Sequence, residues 1–124
     1  MVVNATLLVV DDDQDIAANL ADILQDRGYR VDRAHCGVEA LQLIGKTSYD
    51  AALLDFKMPD MDGATLFARL RQVQPELIAI LVTAYASNDG VQRAKAAGTW
   101  KVMRKPVDIP MMLAYVDQAL GIDT

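Results

Sequence analysis

Five short apolar segments alternate along the chain with five longer segments whose apolar residues recur at helical spacing. The first, third and fourth short segments are continuous apolar runs, which predict strands that are covered on both faces, whereas the second is a weaker strand. The predicted strands are residues 6–10, 30–34, 51–54, 78–82 and 100–104, and the predicted helices are 14–27, 38–46, 64–74, 88–97 and a last one from its cap at Asp108 to Gly121. Because strands separated by helices pair in parallel through right-handed crossovers, the alternation predicts an α/β fold, a doubly wound five-stranded parallel sheet with five helices.

The composition is that of one globular domain covering residues 1–124. The net charge of −5 provides no general attraction for nucleic acid. No apolar run is long enough to span a membrane, and the first one lacks the basic flank of a signal peptide. Cys36 is the single cysteine, so no disulfide can form within the chain. We therefore expect a cytoplasmic domain that binds neither nucleic acid nor membranes.

Chemically active side chains follow four of the predicted strands. Asp11 and Asp12 follow the first strand, Asp55 follows the third, and Thr83 and Lys105 follow the fourth and the fifth. In a parallel sheet these strand ends meet at one edge, which is where open α/β sheets bind their ligands. We therefore expect the carboxylates, the hydroxyl and the ammonium group to converge.

Asp55 is the expected centre of this site. It ends a buried strand, where a lone carboxylate is costly, and a loop punctuated by Pro59 and Gly63 follows. Three carboxylates close together repel one another unless a cation lies among them. Oxygen ligands without a cluster of His or Cys favour a hard ion, and so few carboxylates favour Mg²⁺ over Ca²⁺. A carboxylate surrounded by Mg²⁺, a lysine and a hydroxyl indicates phosphoryl transfer to Asp55.

Five motifs resemble the signatures of CheY-like response-regulator receiver domains of two-component signalling. They read VVDDD at 9–13, LLD at 53–55, MPDMDG at 58–63, VTA at 82–84 and KP at 105–106. The resemblance extends over nearly the whole chain, in the order and at the spacing of the family. It implies a flavodoxin-like, CheY-like fold and a single receiver domain over residues 1–124.

The resemblance implies a magnesium site at the acidic cluster. Asp12 and Asp55 would coordinate Mg²⁺ directly, together with the backbone carbonyl of Lys57. Asp11 would act partly through water. No other cofactor is implied.

The resemblance also implies roles in phosphorylation, with Asp55 as the phosphoacceptor that becomes an aspartyl phosphate. Thr83 would move toward the phosphoryl group, and Lys105 would bind it. Lys57 and Tyr85 are each two residues beyond a site residue, and they either tune hydrolysis of the aspartyl phosphate or are ordinary exposed loop residues.

The implied function is a signalling switch rather than an enzyme with a separate substrate. The domain would catalyse only its own phosphorylation and dephosphorylation, taking the phosphoryl group from a histidine kinase or a phosphotransfer protein. Its change of conformation would regulate an output domain or a downstream protein through the surface of the fourth helix, the fifth strand and the fifth helix. A homodimer is compatible with this arrangement.

The last strand and helix contain one departure from the family pattern. Three residues before the lysine, receivers often have a tyrosine or phenylalanine that couples to the threonine, and this chain has Val102. Trp100 lies two residues earlier and does not occupy this position, so the resemblance does not extend to the usual rotating aromatic switch. The Lys105–Pro106 bond is expected to be cis, as is usual in the family. Met111 and Tyr115 are expected on the helix face opposite the core, as a partner-binding patch or as ordinary surface.

Three further aspartates have simple structural interpretations. Asp13 is expected to cap the first helix without binding metal. Asp60 and Asp62 are expected to shape the loop after Asp55 rather than to bind Mg²⁺, since Asp-Gly is a common turn pair.

Two other functions fit parts of the pattern. Asp11 and Asp13 resemble the DxD motif of haloacid-dehalogenase-type phosphatases, which also use Thr or Ser, Lys and Mg²⁺. In this chain, however, the paired acids come first and the small Gly-Thr signature of that family is missing. A receiver-like binding module that is never phosphorylated is the other alternative.

Overall fold

A single parallel sheet organises the part of the chain that the structure, a computed structural model, describes, which is residues 5–84 and 88–121. The elements, in chain order, are β1 (Thr6–Val10), α1 (Gln14–Asp26), β2 (Arg30–Ala34), α2 (Gly37–Ile44), β3 (Ala51–Asp55), α3 (Gly63–Val73), β4 (Ile78–Thr83), α4 (Asn88–Ala96), β5 (Lys101–Arg104) and α5 (Ile109–Ala119). The strands lie in the order β2-β1-β3-β4-β5, and every neighbouring pair is parallel. This order confirms the predicted doubly wound sheet.

The ends of several elements differ from the prediction by one or two residues. Strands β3 and β4 each extend one residue further, to Asp55 and Thr83, because ladder pairing continues past the apolar residues. Helix α2 ends at Ile44 rather than at residue 46, where the N–H of Lys46 already bonds the carbonyl of Leu43 in a tighter turn. Strand β5 begins at Lys101 and leaves residue 100 outside the sheet.

Aspartate side chains begin three of the helices. Asp13 accepts hydrogen bonds from the N–H groups of Asp15 and Ile16 at the start of α1. Asp108 accepts one from Met111 at the start of α5, and Asp62 caps α3 in the same manner. These carboxylates satisfy backbone donors that the first helical turn leaves unpaired. The expected cap roles of Asp13 and Asp108 are confirmed.

Two apolar layers cover the sheet, because successive side chains of a strand point to opposite faces. Leu7 and Val9 of β1 belong to the layer beneath α1 and α5. Leu8 and Val10 belong to the layer beneath α2, α3 and α4. The central strands are therefore buried on both faces, as their continuous apolar runs predict. Within the described residues, no helix has the length and hydropathy to span a membrane.

The helical spacing of Leu66, Leu70 and Val73 predicts that Val73 packs into the core, and this prediction is wrong. Its side chain is 53% exposed. Val73 is the last residue of α3, and the chain turns away at Gln74, whose side-chain amide donates hydrogen bonds to the carbonyls of Ile44 and Thr47. Leu77, just before β4, is the residue that fills the core there.

The expectation that Met111 and Tyr115 share the face opposite the core is confirmed only for Met111. Met111 is 45% exposed. Tyr115 is half-buried and packs against the layer beneath α1 and α5, with its ring edge-on to Trp100 at a centroid distance of 6.0 Å. The position of Trp100 just outside the edge strand β5 provides this aromatic partner.

Helix α5 is connected to the other end of the sheet by a buried aspartate. Asp117 is almost fully buried and accepts hydrogen bonds from the guanidinium of Arg27 and the phenol of Tyr29. The two partners precede Asp117 by 90 and 88 residues, so this contact fixes α5 against the end of α1 and the start of β2. An unpaired buried carboxylate would instead destabilise the fold.

Helix α4 buries little apolar surface. Ala94 is buried, whereas Val91 and Ala97 are only half-buried. A polar contact adds to this small core, because the guanidinium of Arg93 lies 2.6 Å from the Asp62 carboxylate and 6.0 Å from the centre of the Phe56 ring. Helix α4 is thereby connected to the loop that follows β3.

Gly63 allows helix α3 to start directly against the end of β3. Its N–H donates to the carbonyl of Phe56 at 2.7 Å. A Cβ at this position would lie 2.6 Å from the carbonyl oxygen of Asp55 and 2.7 Å from Leu81 Cδ1. Because one of these neighbours is backbone, the strand end and the helix cannot both stay in place.

We therefore expect Gly63→Ala to destabilise the chain by about 1–3 kcal/mol in urea unfolding, the range of an overpacked core site. Gly45→Ala is the matched control, because its Cβ would meet only the carbonyl oxygens of Gln42 at 3.6 Å and Leu41 at 3.9 Å, which are ordinary contacts. Equal stability of the two variants would contradict the close approach of α3 to β3.

Candidate functional site

Strands β1 and β3 bring three carboxylates together at their carboxyl ends. Asp11, Asp12 and Asp55 each place an oxygen within 4.8 Å of the others. Asp11 and Asp55 are buried, and Asp12 is exposed. The N–H of Asp11 donates to the carbonyl of Ala34, the last residue of β2, so the acidic turn is held against the neighbouring strand. This convergence is the one that the strand ends predict.

Lys105 places its ammonium group among these acids. Its Nζ lies 3.0 Å from Asp11 Oδ2 and 3.3 Å from Asp55 Oδ2. The N–H of Lys105 donates to the carbonyl of Thr83 at 2.8 Å, so the residue is fixed to the end of β4. The Lys105–Pro106 bond is cis, as expected.

Burial dominates the electrostatics of this cluster. Removal from solvent, and then the charge of Asp11, raise the pKa of Asp55 to about 7, although the neighbouring ammonium opposes the rise. Burial lowers the pKa of Lys105, but its hydrogen bond to Asp11 and the charge of Asp55 outweigh this, and the pKa lies above the ordinary value. One ammonium cannot neutralise three carboxylates, so the cluster retains negative charge. An all-oxygen donor set with excess negative charge fits a hard divalent cation such as Mg²⁺.

A cavity of about 320 Å³ opens above Asp55. Its lining comprises Asp12, Asp55, Lys57, Met58, Pro59, Ala84 and Lys105. Lys57 is thus placed beside the acidic cluster, as predicted. The cavity is large enough for a small anion to approach the carboxylate of Asp55.

Thr83 is buried at the end of β4 and does not line this cavity. Its neighbour Ala84 does, while Thr83 lines an adjacent groove beside β5. The structure therefore brings Asp11, Asp12, Asp55 and Lys105 together but leaves Thr83 outside the lining of this cavity, in the adjacent groove. Tyr85 lies outside the described residues.

The loop after Asp55 is held by contacts that sequence reasoning identified only in part. The Asp60 carboxylate accepts from the N–H groups of Gly37 (3.0 Å) and Val38 (2.9 Å) at the start of α2, and these bonds lower its pKa. Asp62 caps α3 and pairs with Arg93. Their shaping roles are confirmed, but nothing in the sequence indicates partners so distant along the chain.

The family model for the response regulator receiver domain matches residues 7–117. This chain belongs to that family. Receiver domains of two-component response regulators are phosphorylation-dependent switches rather than classical enzymes. They interact with histidine kinases or phosphotransfer proteins and with output domains, and they typically bind Mg²⁺ at an acidic cluster. The match does not support the phosphatase alternative.

Known receivers resemble this one over most of its length. A response regulator receiver protein of Anaeromyxobacter is 44% identical over 106 residues, which are 86% of this chain and 44% of that protein. Sporulation initiation phosphotransferase F of Bacillus subtilis is 34% identical over 86% of both chains. The crystal structure of a CheY-like receiver domain protein from Methanospirillum hungatei superposes with a TM-score of 0.92 at 32% identity, covering 96% of this chain and 95% of that one.

Several relatives are much longer than this receiver domain. The chain spans less than half of the Anaeromyxobacter protein, and it matches 26% of the length of the transcriptional regulatory protein GlrR of Escherichia coli, at 35% identity. The activities of such longer proteins are therefore not part of the family assignment.

The raised pKa of Asp55 predicts how the substitution Asp55→Asn changes the free energy of unfolding when no metal is bound. The folded receiver keeps this proton between about pH 4 and 7, where the unfolded chain has lost it, so the contribution of Asp55 to stability falls as pH rises through this window. In EDTA we expect Asp55→Asn to be more stable than the wild type at pH 8. The gain should shrink toward pH 4.

Urea unfolding of both proteins in EDTA at several pH values measures this difference. Asp22→Asn is the matched control, because it removes one aspartate charge at an exposed position of α1. A destabilised Asp55→Asn at pH 8, or a pH-independent difference, would contradict the electrostatic account.

Proposed function

We propose that this receiver accepts a phosphoryl group on Asp55 from a histidine kinase or a phosphotransfer protein, in a reaction that requires Mg²⁺. The observation that supports this most directly is the position of Asp55. Its carboxylate lies at the edge of an open cavity, beside a lysine ammonium and two further carboxylates. This arrangement presents one nucleophile to a phosphoryl donor and surrounds it with the groups that balance its charge.

The chemistry requires no separate substrate site. An oxygen of the Asp55 carboxylate attacks phosphorus in line, the bond from phosphorus to the donor imidazole nitrogen breaks, and its electron pair remains on the imidazole. In this proposal Lys105, whose Nζ lies 3.3 Å from Asp55 Oδ2, binds a phosphoryl oxygen. Thr83 donates a hydrogen bond to the same group after a movement of the end of β4. Water later attacks the phosphorus and releases inorganic phosphate, which restores the carboxylate.

The proposed metal ligands are the carboxylates of Asp12 and Asp55 and the backbone carbonyl of Lys57, with Asp11 acting partly through water. Mg²⁺ bound there supplies neutralisation of the phosphoryl charge. In its absence Lys105 neutralises only part of the acidic charge. The domain in this proposal catalyses its own phosphorylation and dephosphorylation and no other reaction.

The proposed output surface comprises α4, β5 and α5. Within this surface, helix α4 is the element that moves in this proposal, because it buries little apolar surface. Arg93 connects it to the loop after Asp55. We propose one receiver domain over residues 1–124, cytoplasmic, that regulates an output domain or a downstream protein through this surface. A homodimer through the same surface is one form that this regulation can take.

Incubation with acetyl phosphate and Mg²⁺ should add one phosphoryl group to the wild type, measured by intact-protein mass spectrometry. Asp55→Asn should give no adduct, and EDTA should prevent adduct formation in the wild type. Asp60→Asn is the matched control, because it removes a charge from the same loop and retains an acceptor for α2. Full labelling of Asp55→Asn would reject Asp55 as the phosphoacceptor.

A further inference from the structure

The basic residues of this acidic chain are concentrated near α4 and β5. Residues 90–107 include five basic side chains and no acidic one, while the rest of the chain carries seven basic and 17 acidic side chains. The basic residues of this segment are Arg93, Lys95, Lys101, Arg104 and Lys105. Arg93 and Lys105 are paired with aspartates, which leaves Lys95, Lys101 and Arg104 for other contacts.

A groove of about 530 Å³ lies between α4 and β5 and is lined by these three basic residues. Apolar side chains of Val91, Val102 and Trp100 also line it. Among the described side chains, Lys95, Lys101 and Arg104 form no ion pair with a carboxylate. The small side chain of Val102, where an aromatic ring is common in receivers, leaves this space open.

Aromatic rings position one of the three cations. The Nζ of Lys101 lies 5.3 Å from the ring centre of Trp100 and 5.3 Å from that of Tyr115. Those two rings are perpendicular, with an interplanar angle of 81°. Cation–π attraction holds an ammonium group without neutralising its charge. Lys101 therefore remains able to pair with a carboxylate from outside.

We propose that this α4–β5 groove binds an acidic segment of a partner protein, with one apolar side chain of that segment between Val91 and Val102. Carboxylates of the segment pair with Lys95, Lys101 and Arg104. The proposal rests on the proposed function, since it specifies the kind of partner that the output surface recognises. Charge complementarity favours this occupant, because the groove is basic within a chain of net charge −5. A nucleic-acid duplex would bring many phosphates against the acidic remainder of the surface.

The groove also adjoins the phosphorylation site. Thr83 lines the groove, and its carbonyl accepts the N–H of Lys105, whose ammonium contacts Asp55. A shift at either site therefore moves a residue that the other site uses. If phosphorylation strengthens binding of the acidic segment, that segment must stabilise the phosphorylated form by the same factor.

Fluorescence anisotropy of a labelled peptide, in which acidic residues flank one leucine, tests the proposal on the full chain. The wild type should bind this peptide more tightly than a peptide with lysines in place of the acids. The double variant Lys95→Glu/Lys101→Glu should weaken binding by about tenfold or more, since each reversal replaces attraction by repulsion. Lys46→Glu/Arg69→Glu is the matched control, because both residues are exposed elsewhere and the change of net charge is the same.

Val102→Tyr tests the apolar part of the groove without changing its charge. It should weaken binding of the leucine peptide and leave a peptide without leucine unaffected. Circular dichroism melting establishes that each variant is folded. Equal affinity of the wild type for the acidic and the basic peptide would overturn the proposal. So would an equal loss of affinity in the Lys95→Glu/Lys101→Glu variant and in the Lys46→Glu/Arg69→Glu control.

Two further measurements complete the test. A single-stranded DNA oligonucleotide that binds through Lys95 and Lys101 more tightly than the acidic peptide would also overturn the proposal. Labelling by acetyl phosphate is measured separately on the same variants. Loss of labelling in the wild type with normal peptide binding would reject the proposed function alone, whereas normal labelling without selective peptide binding would reject the groove.

Discussion

The pairing of Lys105 with two buried aspartates is the interaction on which the rest of the site depends. Asp11 and Asp55 come from β1 and β3, and each would be costly to bury without a cation. In the strand order β2-β1-β3-β4-β5, the lysine that follows β5 places its ammonium within 3.0 Å of Asp11 Oδ2 and 3.3 Å of Asp55 Oδ2. The doubly wound fold thus brings the carboxylates of Asp11, Asp12 and Asp55 to one edge of the sheet, together with the single ammonium group of Lys105.

Polar contacts extend outward from this charged centre. Asp60 holds the loop after Asp55 against α2, and Asp62 connects the same loop to Arg93 of α4. Thr83 and Lys105 share a backbone hydrogen bond between the end of β4 and the residue after β5. These contacts connect the loop after Asp55 and the end of β4 to α4 and to the residue after β5, and none of them involves an aromatic ring at position 102.

Much of the fold and the site could be predicted because the relevant signals are local. Continuous apolar runs identify buried strands, and the chemistry that follows each strand must meet at one edge. The prediction failed where contacts with residues distant in the sequence determine whether a side chain is buried. Val73 has helical spacing but lies past the last core contact, and Tyr115 packs on Trp100, which is outside β5. Asp60 bonds to α2 through backbone groups that no side-chain pattern reveals.

Calorimetric titration with Mg²⁺ at neutral pH tests the central claim most directly. The account predicts one site per chain, weakened strongly by Asp12→Asn and by Asp55→Asn, because each substitution removes a charged ligand from a cluster that one lysine leaves negative. Asp22→Asn, which changes an exposed acid on α1, should bind as the wild type does. Absence of Mg²⁺ binding at millimolar concentration, or equal binding by all four proteins, would contradict the account.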